Sequence, residues 1–213
     1  MNLGHYKPIS DKVCELLSDL KEGGFIIDAG CGEGYYTNNI ARQTRAQAYG
    51  FDLSKEAIIS ASKVAKREGL ANSRFFVGGI YNLPVCDSGA DAIVNIFAPC
   101  AEDEFSRILK ASGRLIIVAA GENHLYGLKR AIYDEVHRNA ERADMPKNMK
   151  LERAHKLSYT IFLQSAEEIQ SLFSMTPYSY RTSEKDMKKL YSLTSLETEV
   201  EVDIFVYRKE MTL

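Results

Sequence analysis

Residues 25–37, Phe-Ile-Ile-Asp-Ala-Gly-Cys-Gly-Glu-Gly-Tyr-Tyr-Thr, run a short apolar strand into a turn with glycines at 30, 32 and 34. A strand that breaks in alternating glycines and resumes as a helix is the first unit of an alternating α/β chain. The sequence that follows keeps the alternation. Strands are expected at 25–29, 46–52, 74–78, 91–97 and 113–120, with helices at about 35–43, 54–68, 101–110 and 123–142. An amphipathic helix at 9–20 leads the series, with Ile9, Val13, Leu16, Leu17 and Leu20 on one face and Pro8 near its start. Short apolar strands separated by helices imply a parallel sheet covered on both faces, which binds ligands at the carboxyl ends of its strands.

The last third changes character. Two further strands are expected at 156–163 and 198–209, flanking helices at about 166–173 and 184–192. Val200, Val202, Ile204 and Val206 alternate with Glu199, Glu201, Asp203 and Phe205, the period of a half-exposed antiparallel strand. Seven strands then fit one Rossmann-like, mostly parallel α/β sheet with helices on both faces and an antiparallel last strand. The whole chain, 1–213, is expected to form a single domain, a length sufficient for a full core.

The glycine turn selects among cofactors. A dinucleotide fingerprint needs glycines at 30, 32 and 35, but Tyr35 stands where the helix-packing glycine belongs, and no Gly-Lys-Ser/Thr follows to make a Walker loop. Charge points the same way. Asp28 ends the strand and Glu33 lies within the turn, where two carboxylates would repel a diphosphate at a helix N-terminus. S-adenosylmethionine instead brings an ammonium and a sulfonium, which an acidic turn attracts. Asp52, at the end of the second strand, is placed to accept both ribose hydroxyls. Asp28, Gly30, Gly32, Glu33, Gly34 and Asp52 are therefore the expected cofactor residues. That set is the pattern of class I methyltransferases, whose adenine pocket usually has an Asp after the third strand. Gly79 occupies that position in Val-Gly-Gly-Ile-Tyr-Asn-Leu-Pro (77–84), so Leu53 and Ile80 are expected as apolar walls.

Five segments in order, Gly-His-Tyr-Lys-Pro-Ile-Ser (4–10), the turn 28–37, Phe-Ala-Pro-Cys (97–100), 124–136 and Met-Thr-Pro-Tyr-Ser-Tyr-Arg (175–181), resemble the bacterial 23S rRNA guanine-N1 methyltransferases, the RlmA-like family. The resemblance runs over nearly the whole chain. It implies methyl transfer from S-adenosylmethionine to N1 of a guanine in a ribosomal RNA hairpin, with Tyr6, Gly32, Glu33 and His124 lining the cofactor. Members of that family carry a four-cysteine zinc module ahead of their Gly-His-Tyr segment. This sequence begins three residues before its own, so the module is expected to be lacking, and no metal site is expected.

A guanine N1 must lose its proton during transfer, so an acceptor near the methyl group is expected, and a base in an RNA helix must first leave its stack. Asn95 at the fourth strand's end is the candidate for the base edge, although it lacks an Asn-Pro-Pro context; capping a turn is the alternative. His124 is the candidate for the cofactor carboxylate or the substrate proton. Tyr178 and Tyr180 would stack on a displaced base with Arg181 at a phosphate, or pack a sheet edge. Cys100 lacks the partner cysteine of RNA cytosine-5 chemistry and is expected to be structural.

Composition narrows the class. The net charge of −2 does not favour non-specific attraction to nucleic acid, and the one basic segment, 129–156, holds eight Lys or Arg against five acids, as a solvated face would. No apolar run is long enough to span a bilayer, and the first ten residues carry no signal sequence, so a cytoplasmic enzyme without DNA or membrane partners is expected. Cys14, Cys31, Cys86 and Cys100 form no CxxC pair and are expected as reduced thiols. A small-molecule methyltransferase and a catalytically silent S-adenosylmethionine-binding module are the alternative functions; oligomeric state is left open.

Overall fold

The computed structural model describes residues 4–140 and 146–210. Its elements, in chain order, are α1 (Lys7–Leu16), β1 (Phe25–Ala29), α2 (Tyr35–Gln43), β2 (Gln47–Asp52), α3 (Lys55–Arg67), β3 (Ser73–Val77), β4 (Ala90–Ile96), α4 (Glu102–Ile108) and β5 (Leu109–Ala120). There follow α5 (Tyr126–Ile132), β6 (Met149–Leu163), α6 (Ala166–Ser174), a 3-10 turn (Pro177–Tyr180), α7 (Glu184–Ser192) and β7 (Leu196–Lys209). The seven strands form one sheet in the order β3-β2-β1-β4-β5-β7-β6. It is mostly parallel, with antiparallel pairing at β7 and β6, as the alternation along the sequence implies.

Parallel register places the strand ends together. Asp28 lies opposite Gly50 and Val94, and Asp52 opposite Val77, so β1 to β4 finish along one edge. The strands around β1 are buried on both faces, and Ile26, Ile27, Ile93, Ile116 and Ile117 are closed to solvent. Burial of such side chains contributes about 1.5–3 kcal/mol each. Helices α1 and α2 pack on each other, and α2 and α3 cover β2 and β3. Ser54 caps α3 by accepting from Ala57 N at 3.2 Å, satisfying one of the helix's orphan donors.

The chain separates into two compact units. Among the described residues, one comprises 6–119, 146–155 and 204–210, and holds the glycine turn and the β1–β4 edge. The other comprises 4–5, 120–140 and 156–203, and holds α5, α6 and α7.

Several boundaries depart from expectation for physical reasons. The helix expected over 123–142 is confined to Tyr126–Ile132. Beyond it Asn139 folds back, its N–H donating to Glu122 O at 3.0 Å and its Nδ2 to Gly121 O at 2.8 Å, while Oδ1 accepts from Lys129 Nζ at 2.6 Å. These bonds outweigh the helical pattern of 133–139. Glu141, Arg142 and Asp144 of the basic segment lie outside the described residues. Strand β6 starts at Met149 rather than 156, where Arg208 grips Glu152 at 2.7 Å. Strand β5 starts at Leu109 rather than 113, because α4 ends at Ile108 and Leu109 already pairs with Ala90, the register then shifting before Arg114 pairs with Ala92. Glu201, expected on the exposed face of the last strand, is buried. Helix α1 ends at Leu16, the 17–20 segment continuing as turns.

Candidate active site

The glycine turn is shaped by its neighbours. Gly30 N and Cys31 N both donate to Phe51 O, at 2.9 and 3.0 Å, carrying the β1–β2 pairing into the turn. Gly34 starts α2 with φ +73°, and a Cβ there would sit 2.6 Å from the Phe75 ring and 2.7 Å from Ala61 Cβ. Gly34 thus takes the close-packing role that the dinucleotide pattern gives to position 35.

Asp28 is buried at the end of β1, and Thr37 Oγ1 of α2 donates to its Oδ2 at 2.5 Å. Burial, with the charge of Asp52 adding to it, raises its carboxyl to about 7 against the opposing Thr37 bond. A buried acid whose bonded partner is a hydroxyl rather than a cation is matched to a cationic ligand, so this turn fits S-adenosylmethionine. Glu33 is exposed on the same turn. Asp52 holds the turn from the side. Its Oδ2 accepts from Gly32 N at 2.9 Å and its Oδ1 from Ser54 N at 2.9 Å, fixing the carboxylate while each oxygen keeps a second lone pair for a hydroxyl.

Beyond β3, Leu53 is 77% exposed and a Cβ at Gly79 would lie 3.6 Å from its Cδ2, ordinary contact. Ile80 instead joins the core cluster with Leu83, Phe51 and Ile93, and little of it is open to a ligand. The loop after β3 is tied to α4, since Leu83 N donates to Glu104 Oε1 at 2.5 Å and Arg107 donates to Val85 O at 2.9 Å. Tyr6 is buried at the start of α1, with its ring edge-on to Phe97.

Asn95 is fully buried. Its amide donates to Ala29 O at 3.1 Å and Pro99 O at 3.0 Å, so both protons bind backbone and none is available to a substrate edge. The capping alternative matches this geometry. Cys100 is half-buried beside the core cluster, and no disulfide joins the four cysteines among the described residues.

In the other unit, His124 lies in the loop that leads into α5 and is buried, and burial lowers its imidazole to about 4, so the ring is neutral at physiological pH. Glu201 organises this loop. Its Oε1 accepts from Asn123 N at 3.1 Å and its Oε2 from Asn123 Nδ2 at 3.3 Å, and a Cβ on Gly121 would strike it at 2.8 Å. Tyr178 is enclosed by Tyr133, Phe173 and the Lys129 ammonium, which lies 5.7 Å from its ring centre. Tyr180 is 90% exposed, and Arg181 is exposed beside it. Of the two tyrosines, Tyr180 is the more exposed and Tyr178 is half-buried.

Thr37, Phe97 and Glu201 escape a reading by motif. Thr37 stands one helical turn inside α2, Phe97 lies in a segment noted for its proline and cysteine, and Glu201 sits at a position whose alternation predicts solvent.

A family model described as a methyltransferase domain matches residues 20–190. YxjB of Bacillus subtilis (strain 168), provisionally named a 23S rRNA (guanine-N1) methyltransferase, is 30% identical over 97% of this chain and 75% of its own length. The 23S rRNA (guanine(748)-N1) methyltransferase of Streptomyces fradiae is 27% identical over 62% of this chain and 47% of its own. Among solved structures, geranyl diphosphate methyltransferase in complex with S-adenosylmethionine superposes with a TM-score of 0.62 at 16% identity, over 95% of this chain and 84% of its own. No helix among the described residues is long and apolar enough to cross a membrane. With the acidic glycine turn, the 3-2-1-4-5-7-6 sheet and a family match over most of its length, the chain belongs to the class I S-adenosylmethionine-dependent methyltransferases.

Proposed function

We infer that this enzyme methylates N1 of a guanine in 23S ribosomal RNA, acting in the cytoplasm as one catalytic domain. The observation that carries the reading is similarity to YxjB along 97% of the chain, which includes the segments outside the cofactor turn. S-adenosylmethionine, when bound, supplies the methyl group. Asp28 and Glu33 provide the negative field for its cationic end, Gly30, Gly32 and Gly34 give it backbone access, and Asp52 accepts from the ribose. Leu53 walls the adenine, with Ile80 behind it in the core, and Tyr6 and His124 complete the cofactor's surroundings.

Transfer needs the acceptor nitrogen held in line at about 3–3.5 Å from the methyl carbon, so positioning is the chief contribution of the protein. His124, neutral at physiological pH, offers a lone pair to the N1 proton, and its burial makes it a weaker base than a solvated imidazole. Asn95 acts through the backbone it binds. The exposed ring of Tyr180 suits stacking on an unpaired base and Arg181 suits a phosphate, whereas Tyr178 supports them from within its aromatic cluster.

The test is incubation with methyl-labelled S-adenosylmethionine and a 23S rRNA transcript, followed by digestion to nucleosides. Label in 1-methylguanosine is expected. Label in another nucleoside, or none in RNA, overturns the reading and favours a small-molecule acceptor.

A further inference from the structure

Two features at the end of β4 are not explained by the cofactor turn. Phe97, directly after the strand, has φ +52°, a left-handed conformation that a bulky residue adopts only under constraint, and it remains 43% exposed. Asn95, two residues earlier, has a buried Oδ1 that accepts no hydrogen bond among the described residues. An orphaned acceptor and a strained aromatic so close together mark a place where the fold holds a group in position at a cost.

The constraint has identifiable parts. The Asn95 amide ties Ala29 O, the last carbonyl of β1, to Pro99 O of the loop. Ala98 presses on the glycine turn so closely that a Cβ at Gly30 would lie 2.7 Å from its own Cβ. Phe97 N donates to Val118 O at 3.0 Å. Tyr6 then meets the Phe97 ring edge-on, with centroids 6.1 Å apart and planes at 80°, which sets the ring's orientation.

Position decides what the ring faces. Strand order runs β1-β2-β3 in one direction and β4-β5 in the other, so Phe97 stands at the switch point where open α/β sheets take ligands. Asp52, Leu53 and Gly79, the ribose and adenine residues, follow β2 and β3 on the far side of β1. Phe97 therefore belongs to the acceptor's side.

We propose that Phe97 is the stacking wall for a nucleobase methyl acceptor and that Asn95 is the positioning residue that holds it there. The identity of the acceptor rests on the RNA reading above. The chain contains no tryptophan, so Phe97→Trp introduces a single indole at the wall. Its fluorescence should be unmoved by S-adenosylhomocysteine and quenched when the 23S rRNA transcript is then added. In parallel, Phe97→Leu should raise KM for the transcript about tenfold or more, as loss of one base stack implies, with S-adenosylhomocysteine affinity within about twofold by calorimetry. Phe97→Tyr should restore KM. Asn95→Asp should raise KM similarly, and the double variant with Phe97→Leu should show less than the product of the two effects. Quenching by S-adenosylhomocysteine alone, or an unchanged KM in Phe97→Leu, overturns the proposal. Methylation of the transcript by the wild type without quenching of the indole overturns the wall and leaves the RNA reading standing. Quenching without methylation does the reverse, and absence of both removes both.

Discussion

A carboxyl buried beside a second carboxylate resists ionisation, and Asp28 is held near 7 for that reason. In the unfolded chain the same group titrates near 3.8, so the folded state binds the proton more tightly. The stability it contributes is full below about pH 3.8 and is lost as pH rises through 7. Without cofactor this group lowers the urea midpoint between pH 4 and 7, while the buried neutral His124 raises it there, so it is the midpoint of the wild type relative to Asp28→Asn that should fall over that range. A cationic cofactor favours the ionised carboxyl, so S-adenosylmethionine affinity should weaken as pH drops below 7 in the wild type and stay level in Asp28→Asn. Equal pH profiles for the two proteins would contradict this account of the turn. At this scale the sequence announces Asp28, Asp52 and the glycines because the turn's chemistry restricts residue types at fixed spacing. The partners are silent. Thr37 reaches Asp28 only because α2 folds back over β1, and of the two carbonyls that bind Asn95 one ends β1 and the other lies in the loop after β4.

Elements with a strong period were readable in outline. The expected 35–43 helix matches α2, and 184–192 matches α7. The 123–142 stretch misled because its pattern continues while the chain does not. Lys129 is buried, burial lowers its ammonium, and Asn139 Oδ1 meets it at 2.6 Å, so 133–139 is drawn into a loop. Asn139→Ala should cost about 1–3 kcal/mol in urea unfolding, since it removes the ammonium's acceptor and the amide bond to Gly121 O. A change below about 0.5 kcal/mol would mean that the loop is held by something else. The polar edge strand β6 was half missed for the opposite reason. Its apolar alternation stops after Met149 and Leu151, with Arg153 and His155 where apolar residues would continue it, and the Arg208–Glu152 pair ties this stretch to β7.

For the whole molecule, the alternation of strands and helices was sufficient to foresee seven strands in one mostly parallel sheet and the edge along which β1 to β4 end. The net charge of −2 bears on the proposed substrate, because a protein with no positive excess gains little from a phosphate backbone, so an RNA acceptor of the kind proposed would be selected by shape and stacking. The organising claim is that an acidic glycine turn, closed by Asp52, admits S-adenosylmethionine and refuses a dinucleotide. Calorimetric titration with S-adenosylmethionine and with NAD, repeated on Asp52→Ala, tests it most directly. The account predicts binding of S-adenosylmethionine alone, weakened at least about tenfold by Asp52→Ala as two hydrogen bonds to a charged acceptor are lost. Measurable NAD binding, or an Asp52→Ala protein that binds S-adenosylmethionine as tightly as the wild type, would contradict it.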